Sequence, residues 1–198
     1  MARPRKFDER KVLDAARDQF WQAGYAGTRI DEIAEVTGLG KGSLYGAFGG
    51  KQELFRRVFD DYCTAIVDAT GRGLRGSDED AYARLVAHVN AVAAATAADV
   101  THHGCLLAKG AAELAEHDDV VARRARETVE ALQGLLAGDI AACQRNGDLA
   151  ADADPVKLAA LLLAVLRGIE AVGKAGASQE TLQDIAETAI AVLPRPAT

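Results

Sequence analysis

Between Thr28 and Lys51 the chain reads Thr-Arg-Ile-Asp-Glu-Ile-Ala-Glu-Val-Thr-Gly-Leu-Gly-Lys-Gly-Ser-Leu-Tyr-Gly-Ala-Phe-Gly-Gly-Lys. Apolar residues recur three and four apart on either side of Gly38 and Gly40, and Gly49-Gly50 closes the stretch. That spacing predicts two short helices joined by a tight turn. Ile30, Ile33, Leu44 and Phe48 would hold them at one crossing, with Phe20 and Leu54 completing the small core. In a helix-turn-helix of this kind the second helix enters the DNA major groove while the first crosses the backbone.

The same punctuation can be followed along the rest of the chain. Asp8 opens an amphipathic helix carrying Val12, Ala15, Ala16, Phe20 and Ala23, which Gly24 stops. Thr28 is expected to cap the second helix, whose inward face is Ile30, Ile33, Ala34 and Val36, and Gly38 ends it. Lys41–Phe48 is the third helix. Lys51 opens a longer fourth, with Leu54, Phe55, Val58, Phe59, Tyr62 and Ile66 at helical spacing. Further helices are predicted over 78–98, 104–115, from Asp118 or Asp119 to about Asn146, from Pro155 to about Lys174, and after Ser178. Asp154-Pro155 is a start signal, an N-cap followed by proline at the first helical position. With aromatics at 5% and Ala, Leu and Val dominant, no strand pattern competes. The fold class is all-α, about nine helices, with a three-helix head over residues 1–50 and a helical domain over residues 51–198.

Charge divides along the same line. The chain has 198 residues and a formal charge of -6, which by itself argues against a nucleic-acid partner. Residues 1–60 nevertheless hold 11 Lys/Arg against 9 Asp/Glu, a net of +2, and the remainder holds 12 against 20, a net of -8. Such asymmetry fits one end that meets phosphate and another that does not. Cys63, Cys105 and Cys143 are an odd set without a CxxC pair, so neither a disulfide framework nor a zinc site of usual spacing is expected. His102-His103 are adjacent in a loop and diverge rather than chelate, so no metal or other cofactor is expected. The N-terminal residues lack the apolar run of a signal peptide, and a cytoplasmic protein is expected.

The constellation Thr28, Ile33-Ala34, Gly38, Leu44-Tyr45, Phe48, Lys51 and Leu54-Phe55 resembles the TetR family of bacterial transcriptional regulators. Phe20, Gly24-Tyr25 and the Arg-Pro-Arg-Lys arm from Arg3 to Lys6 fit the same pattern. Chemistry assigns the positions roles of its own. Lys41, Gly42 and Ser43 form the first turn of the reading helix, where Lys41 can donate to guanine and Ser43 to a base or phosphate. Arg29 can add a base or phosphate contact. Tyr45 and Lys51 suit phosphate contacts flanking the groove, and Thr28 can meet a phosphate from its helix start. Arg3, Arg5 and Lys6 form a basic arm that either follows the backbone or is simply solvated. Gly46-Ala47 departs from the bulky polar pair common in the family, so base reading should rest on Lys41, Ser43 and Arg29.

A reading helix of two turns covers few base pairs, which calls for two copies on a palindromic operator. The apolar penultimate helix and its amphipathic neighbour, residues 155–193, are the expected homodimer surface. The resemblance implies that a small-molecule inducer binds the second domain and releases the DNA. Its expected lining is Tyr62, Cys63, Ile66, His88, Val92, His103, Cys105, Leu106, Lys109, Gln133 and Val165. Cys105 lies near a helix start beside two histidines, where its thiol would be more reactive. It resembles the Gly-Cys-Leu placement of a family branch that senses electrophiles or oxidants, with Lys174 as a possible partner. A repressor released by a ligand is the leading reading and a thiol-based sensor the alternative. An all-helical enzyme or carrier stands behind both, because the chain offers no nucleophile elbow, P-loop or His/Glu metal pair.

Overall fold

A computed structural model describes residues 7–196, which contain nine α-helices, one 3-10 turn (Asp78–Asp80) and no strand. The helices are α1 (Glu9–Gly27), α2 (Ile30–Thr37), α3 (Lys41–Phe48), α4 (Lys51–Gly73), α5 (Ala81–Ala98), α6 (Leu106–Leu114), α7 (Asp119–Arg145), α8 (Pro155–Lys174) and α9 (Gln179–Ala191). Among the described residues no helix is long and apolar enough to cross a membrane. The basic arm at Arg3, Arg5 and Lys6 lies outside the described residues. Two compact units are present: the chain up to Thr64 with Leu106–Ala125, and Ala65–Cys105 with the chain from Arg126 onward.

In the first unit, Asp8 caps α1 by accepting the backbone N–H groups of Arg10 and Lys11 at 3.0 and 3.4 Å. Val12, Leu13, Ala16 and Phe20 form its buried stripe. Gly24, at φ 78°, breaks the helical path before the last turn of α1. Thr28 does not cap α2. The broken turn leaves the Gly24 carbonyl in need of donors, and Thr28 supplies both its N–H at 3.2 Å and its hydroxyl at 2.7 Å. Arg29 is the N-cap residue of α2 instead, its N–H donating to the Glu32 carboxylate at 2.9 Å. Gly38 at φ 66° and Gly49 at φ 77° terminate α2 and α3 in the left-handed region. Val36, expected inward, is 53% exposed, and Ile33 is the buried residue of α2.

Aromatic rings fill this core. Phe55 meets Phe20 edge-on at 5.1 Å, Tyr25 edge-on at 5.3 Å and Phe59 stacked at 5.6 Å. α6 packs on α1, and Gly110 gives Phe55 and Phe59 the room they occupy. Lys109 donates to the Trp21 and Gln22 carbonyls at 2.9 and 3.0 Å, placing a cation near the carboxyl end of α1. Asp118, 3% exposed, accepts from the N–H groups of Val120 and Val121 at the start of α7 and from Gln52 and Arg56 of α4.

In the second unit α5 packs on both α8 and α9, which also pack on each other. The helix predicted over 78–98 begins as the 3-10 turn and becomes α-helical at Ala81. The segment predicted from Gly104 starts two residues later, at Leu106. Asp154 caps α8 through the N–H groups of Val156 and Lys157, and Ser178 caps α9 through that of Thr181, as their side chains require. Cys143 is fully buried, and burial, with Asp139 nearby, pushes its thiol up to about 11. Arg84 and Asp139 form a buried pair at 2.5 Å.

Candidate nucleic-acid interface and cavity

The α3 helix presents two faces set by its 3.6-residue period. Leu44 and Phe48 are buried at 1% and 3% exposure, while Lys41, Gly42, Ser43, Tyr45 and Gly46 stand in solvent. A Cβ added at Gly42 or Gly46 would meet nothing within 4 Å, so both leave open space on that face. The structure thus brings Lys41, Gly42, Ser43 and Tyr45 onto one accessible surface. Arg29, exposed at the start of α2, adjoins it through Asp31. The Asp31 carboxylate lies 2.6 Å from Lys41 Nζ and 3.7 Å from Arg29 Nη2. The Lys41 hydrogen bond, ahead of the field of Arg29, holds the Asp31 carboxyl below its ordinary range.

Lys51 is placed differently from the other cations. Its Nζ sits 4.4 Å from the centroid of the Tyr25 ring. Burial pulls its pKa down, against the opposing pull of Glu113 and Glu32. Reaching a phosphate would take it off that ring. Thr28 is only 1% exposed, so its hydroxyl and N–H are committed inside the unit rather than presented to a ligand.

Within the second unit, a cavity of about 550 Å³ is lined by Ile66, Ala69, Thr70 and Gly73 of α4, Ala87, His88, Ala91, Val92 and Ala95 of α5, Leu132 of α7, and Arg167 and Glu170 of α8. Of the residues expected to line a ligand site, Ile66, His88 and Val92 converge here. The others do not. Tyr62, Cys63 and Lys109 belong to the first unit, where Tyr62 meets the Trp21 ring edge-on at 5.1 Å and Cys63 is fully buried. Leu106, buried in α6, is also there. Gln133 donates to the Val156 carbonyl at 3.2 Å. Val165 lines a separate apolar groove of about 380 Å³ with Leu161, Ile185 and Val192, on α8 and α9.

His103 sits in a loop closed by Asp99, which accepts its N–H at 2.7 Å. Cys105 precedes α6 rather than lying in its first turn, and a guanidinium stands beside it. Arg167 Nη1 donates to Cys105 Sγ at 3.3 Å and pairs with Glu170 Oε2 at 2.9 Å. Lys174 donates to the His103 carbonyl at 3.2 Å, along the same loop. Burial raises the Glu170 carboxyl above its usual range, against the lowering effect of Arg167 and a hydrogen bond with Cys105. Arg167 and Glu170 were not among the residues expected at the site. The signal was there: they are the two charges, three apart, in the otherwise apolar run between Lys157 and Lys174.

Residues 12–58 match the family model described as bacterial regulatory proteins, tetR family. Residues 81–189 match that of the tetracyclin repressor-like C-terminal domain. The HTH-type transcriptional repressor ComR of Escherichia coli K12 is 27% identical over 192 residues, 97% of this chain and 91% of that protein. A cysteine mutant of the regulator CifR, complexed with 26 bp double-strand operator DNA, is 27% identical with a TM-score of 0.83 and covers 97% of this chain and 100% of its own. Reduced NemR of E. coli shares the fold at a TM-score of 0.81 and 20% identity, over 96% of this chain and 98% of that one.

Proposed function

The chain belongs to the TetR family of bacterial regulatory proteins, and on that premise we propose that it is a dimeric transcriptional repressor, not an enzyme, released from a palindromic operator by a small molecule. The observation that carries this reading is the row Lys41, Gly42, Ser43 and Tyr45, exposed on a helix whose opposite face is locked by Leu44 and Phe48. A rigid helix with an open first turn is what base-edge reading in a major groove requires. Residues 1–50 form the DNA-binding domain in this reading, and residues 51–198 the effector and dimerisation domain. Lys41, Ser43 and Arg29 read bases; Tyr45 and Lys51 hold phosphates, Lys51 by leaving the Tyr25 ring. Such a regulator works in the cytoplasm.

The dimer surface is assigned to residues 155–193. Leu161 and Val192 are 53% and 62% exposed there and border the apolar groove of α8 and α9, which a second copy would cover. The cavity lined by Ile66, His88 and Val92 is assigned to the effector, which must prefer the head spacing that does not fit the operator. Gel-shift titration on DNA upstream of its own gene tests the reading. Tight, salt-sensitive binding to a palindrome is expected, and equal affinity for random DNA at every salt concentration would overturn it.

One observation favours a second reading of the effector step. The Arg167 guanidinium on Cys105 Sγ at 3.3 Å is the kind of neighbour that favours a thiolate, against the opposing effect of the Glu170 carboxyl bonded to the same thiol. A thiol switch predicts that a quinone releases DNA from the native protein and not from the Cys105→Ser variant. Unchanged release from that variant removes it.

A further inference from the structure

We infer that the cavity between α4, α5, α7 and α8 takes an uncharged, predominantly apolar molecule with one hydrogen-bond acceptor, because the charges that face it cancel. The inference rests on the reading of this cavity as the effector site.

α4 contributes Ile66, Ala69 and Thr70 and no ionisable group, and α7 contributes Leu132. α5 contributes one titratable side chain, His88, and α8 contributes Arg167 and Glu170. Burial first, and then the neighbouring Arg167 charge, lower the His88 pKa, which favours its neutral ring. Arg167 and Glu170 face each other at 2.9 Å with side chains only 26% and 18% exposed. Their opposite charges offset each other inside a partly desolvated wall, and both also meet the Cys105 thiol.

A carboxylate or ammonium entering this space would leave water and find no net counter-charge. It would keep most of its desolvation cost, which for an ion outweighs what the apolar walls return. An uncharged ligand has no such cost and gains the apolar contact area. The polar side chains are His88, Arg167, Glu170 and Thr70, so a ligand acceptor can meet an N–H donor while the apolar remainder meets alanine and aliphatic side chains. A volume of about 550 Å³ is in the range of ordinary small-molecule sites and suits a one-ring compound.

Three probes of matched shape test the assignment on the full-length protein by calorimetric titration: 4-ethylacetophenone, 4-ethylbenzoate and 4-ethylbenzylamine. The ketone is expected to bind at least tenfold more tightly than either ion and to weaken operator binding. Tighter binding of the carboxylate or the amine overturns the charge assignment. Failure of all three to bind overturns the effector-site reading itself. Ala91→Phe, which fills the cavity, should abolish ketone binding; binding that survives places the ketone elsewhere and overturns the inference.

Glu170→Gln supplies the sharper readout. With the negative half removed, the wall keeps the Arg167 charge without the opposing carboxylate of Glu170, and the preference should swing at least tenfold toward 4-ethylbenzoate. An unchanged preference overturns the role given to the pair. If that variant shows no cooperative thermal unfolding, Arg167→Gln answers the same question with the opposite sign, a swing toward the amine.

Discussion

Lys41 Nζ lies 2.6 Å from Asp31 Oδ1, so the cation that opens the reading helix is tethered to the first turn of the helix before it. Asp31 also stands 3.7 Å from Arg29 Nη2 and so faces two of the three side chains assigned to base reading. Any phosphate or guanine that takes Lys41 must compete with this carboxylate.

Asp31→Asn should therefore raise affinity for random DNA several-fold while raising operator affinity less, so specificity falls. The salt dependence of random binding should steepen by about one unit, as for one added phosphate contact. Both sides of the pair are exposed, so folding stability should hardly move. In a Lys41→Ala background the Asp31→Asn effect should shrink. Equal effects in both backgrounds, measured by fluorescence anisotropy, would show that Asp31 acts by general repulsion alone.

Tyr45→Phe and Lys51→Ala should weaken operator and random DNA together, because phosphate contacts carry no sequence information. Lys41→Ala should lose more on the operator than on random DNA. A loss confined to the operator for Lys51→Ala would move that lysine from the backbone to the base edges.

Asp118 should make the first unit acid-sensitive. Burial pushes its carboxyl up, but bonds from Arg56, Gln52 and the Val121 N–H outweigh that and leave it below its usual range. A depressed carboxyl adds stability above the ordinary carboxylate pKa of about 4, and that stability is lost as pH falls through the depressed value. Asp118→Ala should cost about 1 kcal/mol at neutral pH from the lost cap alone. The gap between variant and native urea midpoints should narrow toward pH 3. A constant gap would mean the carboxylate charge contributes nothing.

Gly110→Ala should destabilise the same core. An added Cβ would come within 2.6 Å of Phe59 Cε2 and 3.1 Å of Phe55 Cζ, rings already packed against their neighbours. Overpacking of this kind costs about 1–3 kcal/mol, against about 1 kcal/mol returned by alanine's helix propensity. A urea midpoint at or above the native value would show that the rings can move aside.

Helix ends were legible because their causes are local. Gly38 and Gly49 stop their helices in the left-handed region, and Asp8, Asp154 and Ser178 start theirs with a side-chain acceptor two or three residues away. Thr28 failed as a cap for a reason one step less local. Gly24 breaks the preceding helix, and its freed carbonyl takes the Thr28 hydroxyl first. The ligand lining failed on a larger scale. Tyr62 and Ile66 are one turn apart on α4, yet they belong to different compact units, and no pattern in the sequence divides a continuous helix.

By itself the sequence determined the all-helical class, the helix-turn-helix and the outward placement of Lys41, Ser43 and Tyr45, because a 3.6-residue period assigns each residue a face. Tertiary structure alone decided which distant polar groups meet. Cys105, separated from Arg167 by 62 positions, and Asp118, separated from Arg56 by 62, become neighbours only when helices pack. A buried charge is tolerated only where a partner stands beside it; the Arg167–Glu170 pair is local to α8, but its place on the cavity wall is a property of the packed fold.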